Sequence, residues 1–156
     1  MNFTSITTIH NDGNAFIIDR IHKNACFFLS IQRYLELYFG RLFFVQEMMV
    51  YADFTDYEQI VEIERHTNNI NKLIIKLEII LGEKLSIIIY KPIYDTVSNC
   101  KTLENKNVLE IINKDSPVYY FGTGSNIIYI YNVNNTHYEL IETIDGISVL
   151  PIKVKK

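Results

Sequence analysis

The stretch "INKLIIKLEIILG", followed after Glu83 by "KLSIIIYKP", restricts the fold of this chain more than any other. Ile70, Leu73, Ile74, Leu77, Ile80 and Leu81 recur at helical spacing as one apolar stripe, and Gly82 is placed to stop the helix. The β-branched run after it, cut off by Pro92, predicts a buried strand. An amphipathic helix that runs straight into a buried strand calls for helices laid on a sheet.

The rest of the chain extends that pattern. Residues Thr4 to Ile9 and Ala15 to Ile21 are β-branched or aromatic runs separated by "NDGN", and Asp-Gly between such runs predicts a β-hairpin because its turn needs positive φ. From Cys26 to Phe39 the residues Phe27, Ile31, Tyr34, Leu35 and Tyr38 fall at helical spacing, with Gly40 as the stop. Residues 41–53 and 56–65 predict two further helical pieces, the second capped by Thr55 or Asp56, and "HTNN" a loop. Tyr94 to Asp115 is polar and predicts an irregular connection with a helical turn at "NVLEII". "NIIYIYN", an Asn-rich turn and "HYELIE" predict a closing hairpin. The whole, residues 1–156, is expected to be a single α+β domain.

A net charge of −3 argues against a protein held to nucleic acid by its overall charge. The first residues lack a signal-peptide pattern and no apolar run reaches a membrane span, so no membrane contact is expected. Two cysteines, Cys26 and Cys100, are too few for a disulfide framework and have no His cluster for a structural zinc, which makes a reducing, cytoplasmic compartment the default.

Candidate chemistry lies at both ends of this layout. Backbone N–H groups and the dipole at a helix N-terminus stabilise a thiolate, and Cys26 stands where the first helix begins. A cysteine nucleophile needs a base near in space, and His137 at the mouth of the final hairpin meets that need. Residues two apart on a strand share a face, so Glu139 can hold the His137 imidazole. An unpaired cysteine at such a position is more often a plain core residue, and spacing alone does not separate the two. His10 and His66 have no partners at metal-ligand spacing and are taken as surface residues. "GTGS" at Gly122 to Ser125 precedes a strand rather than a helix, unlike a phosphate-binding loop.

The motifs around these residues resemble those of the ovarian tumour (OTU) family of cysteine deubiquitinases. The family's nucleophile motif is D-G-[NA]-C-[LF]-[FY]-x-[AS]-[ILV], and Ala25, Cys26, Phe27, Phe28, Ser30 and Ile31 match it position by position. Its second motif, an apolar strand, a short turn and H-[YFW]-[DN], is followed by "IIYIYNVNNTHYELI" with His137 and Tyr138. Between them "YEQIVEIERHTNNINKLIIKLEIILGEKLSIIIY" resembles the family in order and length, so the resemblance spans about residues 18 to 142. Three departures stand out. Lys23 and Asn24 replace the family's Asp-Gly, Glu139 is one methylene longer than the usual acid or amide, and His66, Thr67, Asn68 and Asn69 replace its W-G-G loop. "DGNAF" at Asp12 to Phe16 offers a rival register with Ala15 at the nucleophile position, but Ile17 and Asp19 break the downstream pattern.

The resemblance implies a papain-related cysteine protease fold with a small central sheet flanked by helices. It implies Cys26 as nucleophile, His137 as base and Glu139 as the group orienting it, with an oxyanion hole from the backbone of Lys23, Asn24, Ala25 and Cys26. The substrate it implies is the Arg-Gly-Gly tail of ubiquitin or a ubiquitin-like modifier, with Asp56, Glu58, Glu62, Glu64 and Tyr138 as substrate-binding residues. No metal or cofactor is expected, and a monomer acting in the cytoplasm, as a viral or pathogen factor in that of a host, is the expected setting. The alternatives are a papain-like protease that cleaves polyproteins and a non-catalytic module that keeps the fold, the latter favoured by Lys23.

Overall fold

The computed structural model describes residues 5–17, 20–22, 24–54, 66–91, 97–102, 107–111, 118–133 and 137–151. Along the chain run β1 (Ser5–Ile9), β2 (Ala15–Ile17), β3 (Arg20–His22), α1 (Cys26–Phe39), α2 (Val45–Tyr51), α3 (Thr67–Leu81) and β4 (Leu85–Tyr90). There follow β5 (Val97–Thr102), β6 (Asn107–Ile111), β7 (Val118–Gly122), β8 (Asn126–Val133), β9 (His137–Ile144) and β10 (Ile147–Ser148).

The main sheet is mixed, in the order β6-β5-β1-β9-β8-β4-β7, with β10 folded back on the end of β9. Two neighbouring pairs are parallel, β1 with β5 and β4 with β8, and the others are antiparallel. The closing hairpin forms as its sequence predicts, β8 and β9 pairing from Ile130 opposite Leu140 to Val133 opposite His137.

The apolar stripe of α3 is buried at Ile70, Leu73, Ile74 and Leu77, and Gly82 ends the helix with a left-handed φ of 69°. α1 spans the predicted residues and stops at Gly40, whose N–H donates to the Glu36 carbonyl. Buried residues of all three described helices join one core with Ile9, Ile87, Ile89, Ile128, Ile130, Tyr138 and Leu140. A smaller cluster of Ile6, Tyr90, Tyr131 and Ile141 contains no helix residue. The α+β class therefore holds, but the sheet is larger than expected, and the described helices join only one of its two cores.

Several local expectations are corrected. β1 does not pair with β2: it lies between β9 and β5, and β2 pairs instead with β3. "NDGN" still turns the chain, by a different device. Asn11 Oδ1 accepts from the Gly13 N–H and Asp12 Oδ1 from the Asn14 N–H, so side chains supply the bonds that a hairpin ladder would have made. Gly13 takes φ 74°, the left-handed conformation that favours glycine. Within 41–53 only Val45–Tyr51 is helical, and "HTNN" opens α3 rather than preceding it, with His66 at the cap. The helix expected at 56–65 lies outside the described residues.

Residues 97–102 and 107–111 are antiparallel strands rather than an irregular stretch with a helical turn. β5 attaches parallel to β1, with Ser5 opposite Asn99, by backbone bonds that need no apolar alternation to form. The "GTGS" segment is the turn from β7 to β8. A Cβ on Gly124 would stand 2.2 Å from the Leu85 backbone nitrogen, so glycine lets this turn lie against the start of β4.

Candidate active site

Cys26 is the first residue of α1 and is 2% exposed. Ala25 caps the helix without a side-chain hydrogen bond, and the first turn carries no acidic residue. The first intrahelical bond is donated by Leu29 to the Ala25 carbonyl, so the N–H groups of Cys26, Phe27 and Phe28 precede the ladder. Positive charge at this end of the helix is thus not offset by a carboxylate in the helix's own first turn, which suits a negatively charged sulfur or oxygen.

His137 opens β9 beside that helix end. Its ring is hydrogen-bonded to the Cys26 side chain, and its Nε2 lies 3.1 Å from Oε2 of Glu139. Nε2 is thus the ring nitrogen that the carboxylate engages. The hydrogen bond to Cys26, then that to Glu139, raises the His137 pKa from 6.5 to about 9 against the opposing effect of burial.

Glu139 is 2% exposed. Burial pushes its carboxyl up, but hydrogen bonds from His137, Thr8 and His10 and the charge of His137 outweigh this and hold it below its ordinary value. Thr8 Oγ1 donates to Oε1 at 2.6 Å, and His10 Nδ1–H donates to Oε2 at 2.9 Å. The strand register explains this convergence. β1 and β9 pair with Ile9 opposite Leu140, so the next step brings His10 opposite Glu139.

Short polar links fix the separation of Cys26 and His137. Ser30 Oγ lies 2.8 Å from the Cys26 carbonyl and 3.3 Å from that of Tyr138, bridging the first turn of α1 to β9. Asn11 Nδ2 donates to the same Tyr138 carbonyl at 3.0 Å, while the Gly13 carbonyl accepts from the Ala25 N–H at 2.8 Å. Asn11 and Gly13, which precede the β2–β3 hairpin, are therefore neighbours of the nucleophile although 12 or more residues separate them from it in sequence. Their signal was the Asp-Gly turn, whose partner in space the sequence does not name.

The structure brings Cys26, His137 and Glu139 together. The Ala25 N–H, expected to face an oxyanion, is already bonded to the Gly13 carbonyl, so Ala25 drops out of that set. Lys23, Asp56, Glu58, Glu62 and Glu64 lie outside the described residues. Tyr138 is 0% exposed, with its ring edge-on to Phe27 at 5.5 Å, so it packs the core under the site rather than meeting a substrate. His10, expected at the surface without a partner, is instead bound to Glu139, and its ring centroid lies 6.3 Å from that of His137. No helix is long and apolar enough to cross a membrane among the described residues. No family model, curated protein or solved structure matches the chain.

Proposed function

We propose that the chain is a cysteine hydrolase that cleaves the amide or isopeptide bond at the C-terminus of ubiquitin or a ubiquitin-like modifier through a thioester. The observation that carries the chemistry is the ordered array at the start of α1: Cys26 as its first residue, His137 hydrogen-bonded to it, and buried Glu139 on the His137 Nε2. The substrate class rests on the resemblance of the two motifs.

In this mechanism the Cys26 sulfur attacks the carbonyl carbon while its proton resides on His137. The carbonyl oxygen gains charge next to the Cys26 N–H and the first turn of α1, where backbone donors and the helix dipole stabilise it. Collapse of that intermediate expels the amine, which takes the proton from His137. Water, deprotonated by the same imidazole, then releases the acid and restores the thiol. Glu139 stays ionised throughout and fixes the ring.

A ubiquitin derivative carrying a thiol-reactive group at its C-terminus tests the reading. One adduct at Cys26, absent from Cys26→Ala and unaffected by Cys100→Ser, is the expected result. A chain that stays unlabelled while a small thiol reagent modifies Cys26 would leave a cysteine hydrolase of other specificity. Cleavage of ubiquitin chains by Cys26→Ala at the wild-type rate would remove the hydrolase reading altogether.

A further inference from the structure

We infer that His10, His137 and Glu139 form a binding site for a zinc-like divalent ion. Oε2 of Glu139 lies 2.9 Å from His10 Nδ1 and 3.1 Å from His137 Nε2, and the three atoms are within 4.8 Å of one another. Zinc bonds of about 2.0–2.1 Å in a tetrahedron place neighbouring ligand atoms about 3.3 Å apart. Two edges of the triangle thus lie within a few tenths of an ångström of that arrangement. Two imidazoles and one carboxylate are a common donor set for such an ion, with a fourth position left for water.

The surroundings suit an ion as well as they suit the hydrogen bonds. Thr8 holds the other carboxylate oxygen, Oε1, so that Glu139 presents Oε2 alone, as an outer-shell donor does in a metal site. The His10 and His137 side chains are 33% and 31% exposed, which gives an ion a way in, whereas Glu139 is 2% exposed and anchors the set. Cys26 is not among the ligands, which come from His10, His137 and Glu139 alone.

The site also regulates, and this consequence rests on the hydrolase reading above. An ion on Nε2 replaces the ring proton that Glu139 accepts and leaves a neutral imidazole with its remaining proton on Nδ1. A metal-bound neutral imidazole is a far weaker acid than an imidazolium, so it cannot protonate the leaving amine. Zinc therefore stops the reaction without touching the sulfur.

Zinc titrated into the metal-free chain, in competition with a chromophoric chelator, tests the site. Wild type and Cys26→Ala are expected to bind one equivalent with the same affinity, and His10→Ala to bind at least about tenfold more weakly. Cobalt(II) gives a second reading that needs no variant, a tetrahedral spectrum without a thiolate charge-transfer band. No binding by wild type, unchanged binding by His10→Ala, loss in Cys26→Ala, or a thiolate band would each overturn the site. For regulation, each protein's hydrolysis is compared with its own metal-free rate, and His10→Ala should need at least about tenfold more zinc for the same inhibition. An active enzyme indifferent to saturating zinc overturns the switch. Zinc binding as described by a chain without hydrolase activity would keep the site and reject the hydrolase.

Discussion

Replacement of Glu139 separates a working triad from a Cys-His pair that merely lies near an acid. In Glu139→Ala, three donors lose their acceptor at once: Thr8 Oγ1, His10 Nδ1 and His137 Nε2. The Thr8 hydroxyl is buried at 1% exposure, and stranding it costs about 1–3 kcal/mol of stability, offset in part because a buried carboxylate is also removed. The larger effect falls on turnover. An orienting group does not react itself, so its loss is expected to lower kcat about 10- to 1000-fold, or about 1.4–4 kcal/mol on the barrier, with KM little changed. Glu139→Gln keeps an acceptor for the ring and should lose less. A further mark follows from the cause of the His137 shift: without the Glu139 hydrogen bond the imidazolium is less stable, so the alkaline limb of the pH–rate profile should move toward neutrality. Steady-state hydrolysis of a fluorogenic ubiquitin C-terminal substrate across pH, in chelator-treated buffer, measures both. Wild-type kcat in Glu139→Ala with an unmoved alkaline limb would refute the role of Glu139.

In the wild-type enzyme, kcat/KM should fall as pH rises through about 9, where His137 loses the proton owed to the leaving group, and a flat profile there would contradict the assignment. Because the His137 pKa is raised from 6.5 to about 9, its contribution to stability is full below about 6.5 and is lost as pH rises through about 9; melting temperatures of wild type and His137→Ala should converge above that pH. Asn11→Ala removes the link to the Tyr138 carbonyl and the acceptor for Gly13 N–H, at about 0.5–1.5 kcal/mol each, and should lower both the unfolding midpoint in urea and kcat; loss of stability alone would show that the link does not position the site. Asn132 is 1% exposed and neither amide atom has a hydrogen-bond partner, so Asn132→Val should stabilise the fold by about 1–3 kcal/mol, and a lower urea midpoint would show that the amide is satisfied after all.

Legibility of the fold followed the physical reach of each signal. α1, α3, β4 and the β8–β9 hairpin carry their patterns within a few turns or one strand pair, and they form where those patterns place them. β5 is anchored by its pairing with the distant β1, in which backbone groups bond regardless of side chain, so "VSNCKT" carries no period to detect, and β6 only closes a local hairpin onto it. The pair Cys26 and His137 was visible because each stands at the start of an element with a recognisable pattern. His10 was not, since nothing local marks it: its role arises only from the register of β1 against β9. Asn11 and Gly13 were hidden in the same way, being assigned to a hairpin turn while their bonds run to Tyr138 and Ala25.

The bond between Gly13 and Ala25 has a consequence for how this region can vary. The chain departs at Gly13, forms β2 and β3, and returns at Ala25 to within 2.8 Å of where it left, so the hairpin is an excursion closed at its base. Doubling the length of such a loop adds only about 0.6 kcal/mol of closure entropy, and the links from Gly13 and Asn11 to Ala25 and Tyr138 do not depend on what lies between. Insertions and deletions can therefore accumulate next to the nucleophile without moving it. A short linear pattern drawn through this point is then broken in the sequence while it stays whole in space. Relatives of such a chain are better sought by the adjacency of an Asp-Gly turn to a cysteine that opens a helix than by any fixed spacing between the two.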